Sequence, residues 1–186
     1  MPLTLPTLLT LLRILLIPCF VTVFYLPLAW SNIICTALFA TAAITDWLDG
    51  YLARRLKQTS AFGAFLDPVA DKLMVAAALV LLVQSIPTPL VAVAAVVIIG
   101  REITISALRE WMAKLGNQAA VAVSMLGKIK TTAQMAALLL LLYREPLIGL
   151  PTLDIGLGLL VIAALLTLWS MINYLIAAWP DIKEGQ

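Results

Sequence analysis

The chain has 186 residues, 63% of them hydrophobic and only 12% charged, with a formal charge of +2 and a mean hydropathy of +1.06. Soluble domains run nearer to about half apolar and about a quarter charged, so this chain carries more apolar surface than it can bury in water, and a bilayer is its natural solvent. The small net charge does not form the basic stripes that nucleic-acid binders need, and no histidine is present to act as base or metal ligand.

Six apolar stretches approach the roughly 20 residues needed to cross a bilayer. They run from Leu8 to Leu28, Asn32 to Leu52, Pro68 to Ile86, Leu90 to Ala107, Val121 to Tyr143 and Leu153 to Ala177. The first has no charged segment ahead of it and no small-residue cleavage site behind it, so it reads as a retained helix and not as a signal peptide. Pro27, Pro87 with Pro89, and Pro146 with Pro151 punctuate three short connections. The expected architecture is an all-α integral membrane bundle of six transmembrane helices, forming one domain over residues 1–186. Cys19 and Cys35 show no zinc spacing and are expected to be buried thiols that pack as small hydrophobes.

Orientation follows from the cations. With a cytoplasmic N-terminus, Arg54, Arg55, Lys57, Arg101, Arg109, Lys114, Lys128, Lys130 and Lys183 fall at or near inner helix ends. Arg13 and Lys72 also lie nearer that side, and Arg144 alone is clearly outside. Both termini are therefore expected to be cytoplasmic. Trp30, Trp111 and Trp179 stand near helix ends, where amphipathic rings favour the membrane interface.

Charged groups inside membrane helices are costly and mark function by default. Asp46, Asp49, Gly50, Ala53 and Arg54 close the second stretch at i, i+3, i+4, i+7 and i+8, which places them on one helical face. Asp67 and Asp71 form an i, i+4 pair on the next helix, with Pro68 suited to its first turn. Carboxylates converging at one depth repel unless cations hold them together. Oxygen ligands without His or Cys favour a hard metal such as Mg²⁺ or Mn²⁺, and two ions would clamp a diphosphate. Gly50, Ala53 and Gly63 would allow close approach of backbone or ligand, and Arg54 could pair with a phosphate. Intramembrane Asp residues also serve as proton relays or ion-path ligands, so a small transporter is a second reading. It would predict inverted repeats or broken helices in matching halves, and the sequence shows no internal repeat.

The run Asp46-x2-Asp49-Gly50-x2-Ala53-Arg54-x8-Gly63-x3-Asp67-x3-Asp71 resembles the signature of the CDP-alcohol phosphatidyltransferase family, with every fixed position filled. Similarity extends over nearly the whole chain. It includes Leu5-Pro6-Thr7-Leu8-Leu9-Thr10-x2-Arg13 and Thr167-Leu168-Trp169-Ser170-Met171, although Thr7 stands where many members have Asn. The resemblance implies a six-helix membrane enzyme with its site open to the cytoplasm, two Mg²⁺ ions (Mn²⁺ possible), a bacterial inner-membrane location and a homodimer. It also implies that Asp46 and Asp67 bridge the two ions, that Asp49 completes one site and Asp71 the other, and that Asp71 is the general base. Gly50, Ala53, Arg54, Ser60 and Gly63 would form the CDP-diacylglycerol site.

A second group, Arg101, Arg109, Lys128 and Lys130, lies on the same inner side and is expected to hold an anionic acceptor. Helix-end cations also act as topology determinants or snorkelling anchors. Together with the resemblance, the group favours sn-glycerol 3-phosphate, whose phosphate needs Arg or Lys partners. Other alcohols remain open as acceptors. Prenyl transfer also uses Asp and Mg²⁺, but its Asp motifs lie far apart in sequence, whereas here they share one short stretch.

Overall fold

A computed structural model describes residues 5–56, 61–114, 125–147 and 149–184. Among these the chain forms helices α1 (Leu5–Tyr25), α2 (Ser31–Leu56), α3 (Ala61–Ser85), α4 (Pro89–Lys114), α5 (Met125–Tyr143) and α6 (Thr152–Glu184). On length and composition α1, α2, α4 and α6 can each cross a membrane. Helix α1 packs on α2 and α3, α2 on α5, α3 on α4 and α5, and α6 closes against α4 and α5.

The core runs through the middle of this bundle. Phe20 and Phe39 meet between α1 and α2 with ring centroids 6.4 Å apart, and Ala78, Leu79 and Leu82 of α3 lie buried with Leu138, Leu141 and Leu142 of α5. Large apolar side chains such as Leu15, Val80, Val96, Leu165 and Ile176 point outward. In water so much exposed apolar surface would aggregate; in a bilayer it meets acyl chains. Thr22, Thr36, Thr41, Thr45, Thr104, Thr131 and Thr167 donate their hydroxyl hydrogens to carbonyls one turn back, at 2.6–2.9 Å. Without water at that depth, the helix itself satisfies these polar groups.

Some details differ from the sequence expectation. Helix α3 begins at Ala61, so Pro68 lies about two turns inside it rather than in its first turn. The apolar run that marked this helix begins later than the helix itself, because its first turns face the charged end of the bundle. Pro18 likewise stands inside α1, a placement that membrane helices accommodate better than soluble ones. Cys35 is buried as expected, but Cys19 is exposed, since a thiol is as well placed against lipid as in a core. The start expected for the fifth stretch, Val121, lies outside the described residues.

The connections at one end are tight. Arg144 (φ 62°) follows α5 and donates from Nε to the Leu141 carbonyl and from Nη2 to Ser85 Oγ. Its guanidinium lies over the Phe24 ring, 5.9 Å from the centroid, so one side chain joins the ends of α1 and α3 to the α5–α6 turn. Gly149 (φ 79°) lets that turn close through mutual backbone bonds between Leu147 and Leu150. At the opposite end the Asp motif and most cations gather.

Helices α5 and α6 pack tightly at Gly156, where an added Cβ would lie 2.9 Å from Leu141 Cγ and 3.2 Å from Leu140 Cβ. Leu141 is fully buried and has nowhere to retreat. Gly156→Val should therefore destabilise the bundle by about 1–3 kcal/mol, while Gly158→Ala, with nothing within 4 Å of its new Cβ, should be tolerated. Thermal unfolding of the two variants in detergent checks this; an unchanged midpoint for Gly156→Val would contradict the packing.

Candidate active site

The N-terminal half of α1 supplies what the Asp motif lacks. Arg13 is 1% exposed and reaches across to α2, donating from Nη1 to Asp46 Oδ1 at 2.7 Å and from Nη2 to Asp49 Oδ2. One turn earlier on the same face, Thr10 donates to Asp67 Oδ1 on α3. The side chain of Asp49 is nearly enclosed, and that of Asp46 is 41% exposed. Asp71 is exposed at the edge of this group, within the influence of the charges on Asp46, Arg13, Glu102 and Lys72. The three helices thus bring Asp46, Asp49 and Asp67 around Arg13 and Thr10, with Asp71 at the border.

Among the described residues, no three of His, Cys, Asp and Glu stand close enough to hold a metal ion. Asp46, Asp49 and Asp67 of the motif are instead held by side chains of α1. Arg13 bridges Asp46 and Asp49 and offsets the repulsion between them. In donor chemistry the group fits a hard divalent ion, since all of its anionic ligands are carboxylate oxygens.

Beside Asp71 a cavity of about 700 Å³ opens between α3, α4, α5 and α6. Its lining includes Asp71 and Lys72 from α3, Arg101, Glu102, Ser106 and Arg109 from α4, Lys130 and Gln134 from α5, and Ser170 and Tyr174 from α6. Arg101 pairs with Glu102 at 2.6 Å, and the same Glu102 oxygen accepts from Lys130 Nζ at 3.4 Å. Lys72 donates to Ser106 Oγ, which in turn donates to the Glu102 carbonyl at 2.6 Å. Arg109 donates to the Tyr174 hydroxyl at 3.1 Å. The arrangement places Asp71 and Lys72 on one wall and Arg101, Arg109 and Lys130, with Glu102 among them, on the others, a setting that can hold an anionic molecule.

Of the residues expected to bind the acceptor, Arg101, Arg109 and Lys130 are brought together here. Lys128 is exposed and does not line the cavity. Two residues on a helix of 3.6 residues per turn stand about 200° apart, so Lys128 and Lys130 cannot both face inward. Gly63 is buried near the start of α3. Gly50, Ala53 and Arg54 fall within α2, but their side chains, and Ser60 altogether, lie outside the described residues.

Sequence reasoning passed over Arg13, Thr10, Glu102 and Tyr174 as site residues. Arg13 had a usable signal, because a cation deep in an apolar helix requires a partner, and Thr10 lies three residues before it on the same face. Glu102, a charge inside an apolar stretch, carried the same signal, whereas Tyr174 carried none, for its place in the site comes from which helices pack together.

A profile of the CDP-alcohol phosphatidyltransferase family matches residues 3–176. The chain is 55% identical over 184 residues to the CDP-diacylglycerol–glycerol-3-phosphate 3-phosphatidyltransferase of Pectobacterium atrosepticum, covering 99% of this chain and all of that protein. It is 54% identical to the proteins of that name from Sodalis glossinidius and Yersinia enterocolitica, with the same coverage. A match of this extent, over a chain whose Asp motif and basic cavity meet at one end of a helical bundle, leaves one assignment: the chain belongs to the CDP-alcohol phosphatidyltransferase family.

Proposed function

We propose that this chain transfers the phosphatidyl group of CDP-diacylglycerol to sn-glycerol 3-phosphate, giving phosphatidylglycerophosphate and CMP. The observation that carries this reading is a cavity that Asp71 lines together with Arg101, Arg109 and Lys130. The full-length identity with relatives named for that reaction supports it. Glycerol 3-phosphate would place its phosphate among the three cations and its free hydroxyl toward Asp71. Asp71 takes the hydroxyl proton as the oxygen attacks the β-phosphorus of the donor, the bond to the CMP oxygen breaks, and CMP leaves with that electron pair.

Asp46, Asp49, Asp67 and Asp71 would hold two Mg²⁺ ions, or Mn²⁺ in their place, whose chemistry is to neutralise the diphosphate and the charge on departing CMP. Gly50, Ala53, Arg54, Ser60 and Gly63 belong to the donor side of the same proposal. Arg13 keeps Asp46 and Asp49 oriented toward α1, and Thr10 does the same for Asp67. The proposal also includes six membrane crossings as one domain in the bacterial inner membrane, with both termini and the site on the cytoplasmic side. The gathering of the cations at one end, with Arg144 at the other, supports that orientation. A homodimer completes the proposal on the strength of the family resemblance.

The decisive experiment is CMP release by purified protein in detergent with CDP-diacylglycerol, Mg²⁺ and single candidate acceptors. CMP should form with glycerol 3-phosphate and not with serine, inositol phosphate or an amino alcohol; CMP with one of those instead would overturn the acceptor. Asp71→Asn should abolish turnover while CDP-diacylglycerol still binds, whereas Asp46→Asn should lose both turnover and Mg²⁺-dependent binding. Near-normal turnover of Asp71→Asn would remove it from the role of base. At the acceptor end, a charge-assisted contact contributes about 2 kcal/mol. Lys130→Met should accordingly raise the KM for glycerol 3-phosphate roughly thirtyfold, with Lys128→Met within about twofold of the parent. Equal effects from the two lysines would show that the cavity is not the acceptor site.

A further inference from the structure

Arg101 and Arg109 lie eight residues apart on α4, a separation of about 12 Å along a regular helix. Like charges that share a cavity repel, yet both guanidinium groups gather on one side chain of α6. Their central carbons lie 5.7 and 5.5 Å from the centroid of the Tyr174 ring, and Arg109 Nη2 donates to the Tyr174 hydroxyl at 3.1 Å. All three residues line the cavity that holds Asp71.

We infer that Tyr174 is a positioning residue for the acceptor phosphate: its ring holds Arg101 and Arg109 in place without neutralising them. The inference rests on the reading of this cavity as the glycerol 3-phosphate site. A carboxylate at the same place would hold the arginines as firmly, but it would cancel their charge and compete for the N–H groups that a phosphate needs. An aromatic face attracts cations through its quadrupole and carries no net charge. The hydroxyl takes one N–H of Arg109 and leaves the remaining donors of that guanidinium to other partners. Glu102 shows the contrast on the opposite side, where its carboxylate already offsets part of the charge of Arg101 and Lys130. Tyr174 also ties the acceptor pocket to α6, which supplies none of the Asp motif, so the pocket can be tuned apart from the reacting end.

The test uses the full-length protein in detergent, measuring CMP release with each substrate varied in turn and inorganic phosphate as a competitor. Tyr174→Leu should raise the KM for glycerol 3-phosphate and the inhibition constant of phosphate by roughly tenfold. The kcat and the KM for CDP-diacylglycerol should stay within about twofold, since α2 and α3 carry that side. Tyr174→Phe, which keeps the ring, should recover most of the loss, and Tyr174→Met serves as a second non-aromatic variant. A purely structural residue would instead depress kcat and impair both substrates alike, and that result would overturn the inference. So would an unchanged KM for glycerol 3-phosphate in the Leu and Met variants, or a Phe variant as impaired as they are. If the parent protein releases CMP only with a different alcohol, the reading of the acceptor fails. In that case phosphate competition in the parent and Leu proteins still decides whether Tyr174 positions an anion site.

Discussion

Arg13 stands inside an apolar helix almost wholly shut off from solvent, where an unpaired guanidinium would be too costly to keep. Its two carboxylate partners lie on α2, so the contact that makes the charge tolerable also fixes how α1 and α2 meet. Removing one partner of such a buried pair generally destabilises by about 3–5 kcal/mol, because the other charge is left stranded. Thr10 carries the same linkage to Asp67 on α3. The end of the bundle that carries the Asp motif is in this way organised by α1, although α1 contributes no carboxylate to the motif.

From that end the rest of the site follows by packing. Helix α3 carries both Asp67, bonded to Thr10 of α1, and Asp71, which lines the cavity, one helical turn apart. The wall opposite Asp71 is cationic, and its charge is compensated only in part, by Glu102 between Arg101 and Lys130. Lys130 is buried within this network, and a polar contact there is worth more than the same contact in water. The partial compensation also leaves the cavity suited to an anion of small size.

The two ends of the bundle divide their tasks. At the far end Arg144 is spent on structure, lying over Phe24 and bonded to Ser85 and a backbone carbonyl, so that three elements close over the core. At the near end Arg101, Arg109 and Lys130 line an open cavity instead. The same residue type therefore serves as clasp or as binding group according to what surrounds it, and position along the chain alone does not distinguish the two.

Apolar run length fixed the number of helices from the sequence, and the i, i+3 and i, i+4 spacings of Asp46, Asp49, Asp67 and Asp71 fixed which carboxylates share a face, because both follow from the pitch of a helix. The Asp signature was likewise legible as a family pattern, since its spacings are local. The partners of those carboxylates were not: Arg13 lies 33 and 36 residues from Asp46 and Asp49, and no local rule connects them. Selection among the basic residues was also beyond the sequence, which grouped Lys128 with Lys130 although only one of them can face the cavity. Tyr174, 65 residues from Arg109, entered the site only through the packing of α6 on α4. Sequence determines which residues share a helical face; the contacts between helices decide what that face meets, because burial and charge pairing act through space.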